Sequence, residues 1–195
     1  SDNIDLPTGY SLTWSGQYEY MERAKAKLTY VIPLTLAIIV VLLYASFRRF
    51  AQVAMIIGTL PFALIGGIWL LYLEGFNFSV AVGVGFIALA GVAVEIGIIM
   101  LTYLDSKFTE LGNKFTSEQL KQAVLTGSEM RIRPVMMTST SIIFGLLPVM
   151  YGTGTGSEVM SRIAAPMVGG MVSALILTLI VLPAVYFVWR KRPEL

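Results

Sequence analysis

Five long apolar stretches dominate this sequence, and they constrain its fold more than any other feature. Each approaches the ~20 residues that a helix needs to cross the hydrocarbon core of a bilayer. A chain in lipid must satisfy its own backbone hydrogen bonds, so the stretches are predicted to be helices. We therefore expect an all-α membrane protein, a bundle of five transmembrane helices. The predicted spans are Tyr30–Phe47, Val53–Leu73, Ser79–Leu104, Val135–Met150 and Ile163–Trp189.

The composition supports a membrane protein and argues against several classes of function. Of the 195 residues, 56% are hydrophobic and 13% are charged, as is typical of integral membrane proteins. The net charge of +2 is too small to indicate a nucleic acid partner. The sequence has no Cys and no His, and no nucleophile–base pair indicates an enzyme. No cofactor is predicted. The ten Met residues remain as soft ligands, and thioethers suit monovalent copper or silver better than zinc.

Basic residues predict the orientation of the spans in the membrane. Lys and Arg gather on one side of the predicted bundle, and the positive-inside rule makes that side cytoplasmic. The N-terminus is then outside the cytoplasm and the C-terminus inside, which agrees with an odd number of spans. The basic residues on that side are Arg48, Arg49, Lys107, Lys114, Lys121, Arg131, Arg133, Arg190, Lys191 and Arg192.

Two segments outside the spans have their own patterns. Residues 1–28 are predicted to be the remnant of a periplasmic domain that leads into the first helix of a membrane bundle, residues 29–195. Within that leader, Tyr10 to Trp14 alternates like a strand and Gln17 to Lys27 is helical in pattern. In the cytoplasmic loop at about 105–133, Ser117 to Gly127 has apolar residues at helical spacing. That spacing predicts a short amphipathic helix at the membrane surface.

One carboxylate, Glu95, lies near the middle of the third span. A charge at that depth costs a few kcal/mol even on lenient insertion scales, so it usually has a function. Ala88, Gly91, Glu95, Ile98 and Thr102 share one helical stripe. The glycines of this span predict close helix packing and a central place in the bundle. Glu95 is therefore a candidate proton-binding group, and the alternative is an acid that is hydrogen-bonded by a neighbouring helix and serves packing alone.

Three weaker patterns accompany it. The hydroxyls of Thr138 to Ser141 could form a water path or could bond to carbonyls of their own helix. The glycine-rich run Gly152 to Glu158 lacks the Lys-Ser/Thr pair of a phosphate loop, which favours a tight turn. The many Met residues of the spans could be metal ligands or ordinary apolar filler.

Several longer motifs resemble a known transporter family. The first is the run from Gly152 to Met171, GTGTGSEVMSRIAAPMVGGM, and the second is Gly85 to Glu95, GFIALAGVAVE. The leader adds Leu6 to Gly9, LPTG, and Trp14 to Arg23, WSGQYEYMER. Together they resemble the heavy-metal efflux branch of the resistance-nodulation-division transporters, and within it most of all the copper(I)/silver(I) exporters.

This resemblance implies a fold, partners and functional residues. Such transporters are proton-driven, trimeric inner-membrane pumps with twelve transmembrane helices, and they work with a periplasmic adaptor and an outer-membrane channel. The chain would supply the last five helices, and its partner would be the missing N-terminal half. Glu95 matches the proton-relay glutamate of the family, and Met160 matches a methionine of the transmembrane metal pathway. The cargo implied is Cu(I) or Ag(I).

One position departs from the copper-type pattern. That pattern has a relay Lys after Arg-Pro, whereas this sequence has Val135 after Arg133 and Pro134, as in divalent-cation exporters. Arg133 could supply a substitute charge if it reached inward. The leading hypothesis is a C-terminal fragment of a proton-driven Cu(I)/Ag(I) exporter. The alternatives are an inactive membrane scaffold and a related pump for divalent cations or organic compounds.

Overall fold

All regular structure in the described chain is helical. The computed structural model describes residues 17–112 and 115–191, so the strand predicted at Tyr10 to Trp14 lies outside the described residues. A π-helical turn, Leu177–Val181, joins α5 to α6 without a break. The helices are α1 Gln17–Phe47, α2 Phe50–Leu73, α3 Val80–Glu110, α4 Ser117–Tyr151, α5 Ser157–Ile176 and α6 Leu182–Arg190.

The prediction of five membrane-spanning helices is confirmed. In the described chain, five helices are long and apolar enough to cross a bilayer, with α5, the π turn and α6 acting as one continuous span. Apart from Ser79, which precedes α3, each predicted apolar stretch lies within one of these helices, and the helices extend beyond the stretches at most ends.

The chain divides into two compact units, residues 1–45 and 46–195. In the first unit, the predicted helical segment from Gln17 to Lys27 continues directly into the first span as α1. Most apolar side chains of α1 are exposed, among them Tyr30, Leu34 and Val41. The second unit contains α2 to α6 and the three buried apolar clusters.

Local signals set the helix ends in the second unit. Ser79 is the N-cap of α3, and its hydroxyl oxygen accepts a hydrogen bond from the Val82 N–H. Before α4, the Thr116 N–H donates to the side-chain oxygen of Gln119 at 2.8 Å. Gly75 and Gly112 follow the ends of α2 and α3 with φ of 70° and 72°, a conformation that favours glycine.

The connection between the third and fourth spans is more helical than its sequence indicated. The amphipathic segment from Ser117 to Gly127 is helical, but it continues through Pro134 into the fourth span as the 35-residue helix α4. Most of residues 105–133, predicted as a loop, therefore belong to α3 or α4, which are separated by a short connection. The predicted fourth span begins at Val135, directly after Pro134, whereas the helix runs through this proline.

Helices α2 and α5 pack with their backbones in contact. A Cβ added to Gly66 would overlap the Gly169 carbonyl oxygen, and one added to Gly169 would overlap the Gly66 carbonyl oxygen. Nearby, the Ser173 hydroxyl donates to the Ala63 carbonyl at 3.0 Å. Small residues at such a contact let the helices approach closely, which drives association where lipid removes the hydrophobic effect.

The same packing extends to α3. A Cβ on Gly85 would overlap the Ile163 carbonyl oxygen of α5. One layer deeper, Ala63, Ala93 and Ala174 form a buried cluster that joins α2, α3 and α5. Helices α2, α3 and α5 therefore meet through small side chains, which fixes which face of α3 is turned inward.

The fifth span contains a π turn beside a proline. The Leu182 N–H donates to the carbonyl of Leu177, five residues earlier. Pro183 follows and has no N–H, so it cannot donate to the preceding turn. A wider turn at this point is therefore explained by the proline.

An ion pair connects the ends of α3 and α6. The Arg190 guanidinium lies 2.6 Å from the Asp105 carboxylate, and the Tyr186 hydroxyl donates to the same oxygen at 3.0 Å. The guanidinium also lies over the rings of Phe108 and Trp189, at 4.1 and 4.3 Å from their centroids. Ion pairing and cation–π contacts together hold these two helix ends side by side.

The α2–α5 contact leads to a first prediction. Gly66→Ala should lower the free energy of unfolding in detergent by about 1–3 kcal/mol, because the added methyl group separates the two backbones. Gly145→Ala is the matched control, since a Cβ there meets nothing within 4 Å, and it should be neutral or stabilising by up to about 1 kcal/mol. Equal effects of the two substitutions on the denaturant midpoint would contradict the close contact.

Candidate functional site

Glu95 lies at the midpoint of α3, which runs from Val80 to Glu110. Fifteen residues separate it from either end, or ~22 Å at 1.5 Å per residue. The hydrocarbon core of a bilayer is ~30 Å thick, so a carboxylate at the middle of this span is far from either aqueous surface. This placement agrees with the depth predicted from the sequence.

The side chain of Glu95 points away from the packed face of α3. Its neighbours Val94 and Ile96 are buried, and Ala93, about 200° round the helix, lies in the alanine cluster. Glu95 itself is exposed. The carboxylate is therefore on the outer surface of the second unit, and not within its core.

Glu95 belongs to a stripe of exposed residues along α3. Val84, Ile87, Gly91, Glu95 and Thr102 are all exposed and follow one another at intervals of three, four or seven residues. Of the five residues predicted to share one stripe, Gly91, Glu95 and Thr102 are exposed, whereas Ala88 and Ile98 are partly buried.

The glycines of α3 have two different environments. Gly85 is in backbone contact with α5, and a Cβ on Gly97 would lie 3.8 Å from Ile56. Gly83 and Gly91 have nothing within 4 Å of an added Cβ. The prediction that glycines allow close packing is thus correct for Gly85, while Gly91 leaves a shallow, open surface beside Glu95.

Within the described residues, Glu95 makes no hydrogen bond and no ion pair. Along the same stripe, the Thr102 hydroxyl donates to the Ile98 carbonyl of its own helix at 2.8 Å. The packing alternative, in which neighbouring hydroxyls hold the acid, therefore has no support among the described contacts.

Met160 lies at a different depth. It is exposed, in the first turn of α5, at the end of the unit where α3 begins. Three residues from the start of α5 correspond to ~5 Å, against ~22 Å for Glu95. The structure therefore does not bring Glu95 and Met160 together, and any path between them would run along the membrane normal.

The hydroxyl run on α4 is divided between two environments. The Thr138 hydroxyl donates to the Pro134 carbonyl at 3.0 Å, as the back-bonding alternative predicts. Ser139 is fully buried, and its hydroxyl oxygen has no partner among the described residues. Buried hydroxyls usually find a partner, and the sequence placed Ser139 in this run without distinguishing it from Thr138.

Val135 and the two arginines that precede it, Arg131 and Arg133, lie in different environments. Val135 is buried in an apolar cluster with Leu89, Ile96 and Met171. Arg133 is exposed, so this structure does not show it reaching inward. Arg131, by contrast, lies over the Tyr103 ring of α3 at 4.4 Å, a contact that the sequence pattern could not indicate.

Comparison with known proteins identifies the family. Residues 1–190 match the family model described as the AcrB/AcrD/AcrF family. The chain belongs to this family. Its five long apolar helices and this membership indicate a multi-pass protein of the inner membrane.

Named relatives come from bacteria with metal efflux systems. The chain is 51% identical to the putative cation efflux system protein SilA of Salmonella typhimurium and 50% identical to the cation efflux system protein CusA of Escherichia coli K12. Each comparison covers 98% of this chain and 19% of the relative. The cobalt-zinc-cadmium resistance protein CzcA of Cupriavidus metallidurans is 38% identical, over 98% of this chain and 17% of that protein.

A solved structure has the same fold. The chain is similar to the crystal structure of a heavy metal efflux pump, crystal form II, with a TM-score of 0.80 and 38% identity. The match covers 98% of this chain and 18% of that one. The chain thus spans about a fifth of the length of these relatives, and the predicted fold class of an RND-type helical bundle is confirmed.

The outward position of Glu95 leads to a second prediction. Glu95→Gln should not lower the free energy of unfolding of this chain by more than about 0.5 kcal/mol, because no described contact is lost. Leu89→Ala, at a fully buried position, should lower it by about 2–5 kcal/mol. Both values can be measured by denaturant titration in the same detergent. A large loss for Glu95→Gln would reveal a structural role instead.

Proposed function

We propose that this chain forms part of the membrane domain of a proton-driven exporter of heavy-metal cations, with Glu95 as a proton-relay residue. The observation behind the proposal is a lone carboxylate at the midpoint of α3, exposed and without a partner among the described residues. The relatives named for cation efflux provide the context in which such a group would act.

The position of Glu95 implies a partner in the membrane. An ionised carboxylate that faced lipid at this depth would cost a few kcal/mol or more. Intramembrane acids accordingly face a bundle interior or an aqueous cavity. The exposed stripe of α3 would therefore be covered by another part of the transporter, which is the N-terminal half inferred from the family resemblance.

Protonation would couple this contact to movement. A neutral Glu95 tolerates a desolvated environment, whereas an ionised Glu95 favours water or a cation. The two protonation states would thus favour two arrangements of the stripe against its partner. A proton taken up from the periplasm and released to the cytoplasm would then drive the cycle. This scheme uses the orientation predicted by the basic residues, with the N-terminus periplasmic and the C-terminus cytoplasmic.

Cu(I) or Ag(I) is the proposed cargo. The chain is about 50% identical to SilA and CusA, but 38% identical to CzcA and 35% to the nickel and cobalt resistance protein CnrA. The sequence offers thioethers and neither thiols nor imidazoles, and soft thioethers select monovalent copper or silver. Met160 is exposed near the periplasmic end of α5, where it could receive the ion. As in the resemblance, a homotrimer with an adaptor and an outer-membrane channel would complete the pump.

One observation favours divalent cargo as the second candidate. Val135 occupies the place of the relay Lys of the copper type, and it is buried among apolar side chains. A Lys there would have to bury its ammonium group or displace the cluster. The relay of this chain would then have no cation at 135, as in the divalent-cation pattern.

A chimera tests the proposed role of Glu95. This chain would replace the aligned segment of CusA from E. coli, and copper and silver tolerance would be measured in a metal-sensitive strain. The unmutated chimera should restore tolerance, Glu95→Gln should abolish it, and Glu95→Asp should retain part of it, because only the carboxylates can titrate. Full tolerance with Glu95→Gln would remove Glu95 from the relay. An inactive unmutated chimera at normal expression would favour the scaffold alternative.

The same chimera tests Met160. Met160→Leu keeps the volume and removes the sulfur, so efflux of Ag(I) from preloaded cells should slow by roughly tenfold or more, in line with the loss of a metal contact. Met130→Leu, at another exposed methionine, is the control and should have no effect. Zinc tolerance measured in parallel distinguishes the two cargo classes. In a pump for divalent cations, Met160→Leu would reduce neither zinc tolerance nor Ag(I) efflux.

A further inference from the structure

A narrow apolar groove runs along the outside of the second unit, between α2 and the end of the fifth span. Its volume is about 410 Å³. The side chains on its α2 wall are small in the middle, and a Cβ added to Gly58 would meet nothing within 4 Å. The principal lining residues are Ala51, Met55, Gly58, Phe62, Leu177 and Val181.

The groove offers almost no hydrogen bonding. Thr59 is the one polar side chain among its described lining residues, and its hydroxyl donates to the Ile56 carbonyl at 2.6 Å. An occupant must therefore be apolar along the whole wall. Such a lining matches the hydrocarbon of a bilayer.

The dimensions of the groove fit one hydrocarbon chain. From Ala51 to Phe62 it follows eleven residues of α2, or ~17 Å, which is close to the ~15 Å depth of one leaflet. Its volume of about 410 Å³ lies within the range of small-molecule pockets.

Positive charge lies at the end of the groove where α2 begins. Arg48 and Arg49 directly precede α2, both are exposed, and neither has an ion-pair partner among the described residues. Lys191, exposed at the end of α6, is at the same end of the unit. The nearby Asp105 is already paired with Arg190. This end therefore favours an anion next to the apolar groove.

We propose that the groove binds one acyl chain of an anionic phospholipid, whose phosphate lies against Arg48 and Arg49. The groove is about as long as an acyl chain that spans one leaflet, and its apolar wall matches hydrocarbon. The unpaired guanidinium groups of Arg48 and Arg49 match the phosphate. Guanidinium groups bind phosphate in a bidentate manner, which adds specificity to the charge. This inference does not depend on the transport function proposed above.

The experiment uses the purified, delipidated chain in detergent. Native mass spectrometry would compare phosphatidylglycerol with phosphatidylcholine of identical acyl chains. We expect at least about fivefold greater retention of phosphatidylglycerol, a difference that Arg48→Gln with Arg49→Gln removes. Lys25→Gln with Lys27→Gln changes the net charge equally, at the other end of α1, and should preserve the preference. Equal retention of the two lipids by the unmutated chain would overturn the proposal.

A second pair of variants tests the groove itself. Gly58→Leu places a branched side chain in the groove, at a position where a Cβ meets nothing within 4 Å. It should reduce retention of phosphatidylglycerol to that of a lipid that does not bind the chain. Gly145→Leu, also in open space but on α4, should have no effect. Undiminished retention by Gly58→Leu would refute the site. Retention of glycerol phosphate at the same level as the lipid would show that the arginines bind a phosphate without the groove.

A label on the lipid keeps the test independent of any substitution. Phosphatidylglycerol with a photoreactive diazirine on one acyl chain would be cross-linked to the unmutated chain in vesicles of phosphatidylcholine. We expect the cross-links in residues 51–62 and 177–185. Cross-links spread evenly over all helices, or absent from residues 51–62 and 177–185, would contradict a defined site.

Discussion

The direct contact between the backbones of α2 and α5 is the constraint on which the rest of the second unit depends. Lipid is as apolar as the side chains of these helices, so apolar burial gives little driving force for their association. Van der Waals contact between the backbones at Gly66 and Gly169 supplies the driving force instead. Gly85 and the three alanines bring α3 to the same core. Once those small residues are turned inward, the opposite face of α3, with Glu95, must be turned outward.

This geometry explains what the sequence could and could not predict about the site. Hydropathy located the spans and the depth of Glu95, because both depend only on position along one helix. The shared stripe of Gly91, Glu95 and Thr102 followed from helical periodicity. The direction of the stripe did not follow, since Gly83, Gly85, Gly91 and Gly97 look alike in sequence. Only the partner helix distinguishes the packed Gly85 from the open Gly91.

Other features depended on contacts between distant parts of the chain. The separation of Glu95 and Met160 by about three helical turns is visible only when α3 and α5 are placed together. Arg190 looked like one of many basic residues that mark an orientation, yet it pairs with Asp105 and lies against two aromatic rings. The continuity of α4 through Pro134 was also hidden, because a proline in the sequence predicts a break more often than an uninterrupted helix.

The π turn at Leu177–Val181 has a geometric consequence for everything that follows it. Buried residues recur every fourth position through this region, at Ala174, Thr178, Leu182 and Tyr186. An unbroken α-helix would rotate Tyr186 by ~120° relative to Ala174 over those twelve residues. The wider turn compensates for that rotation, so the buried residues stay on the same side of the fifth span down to the membrane surface. Pro183, through the π turn beside it, thereby keeps the last turn of the span in contact with the end of α3.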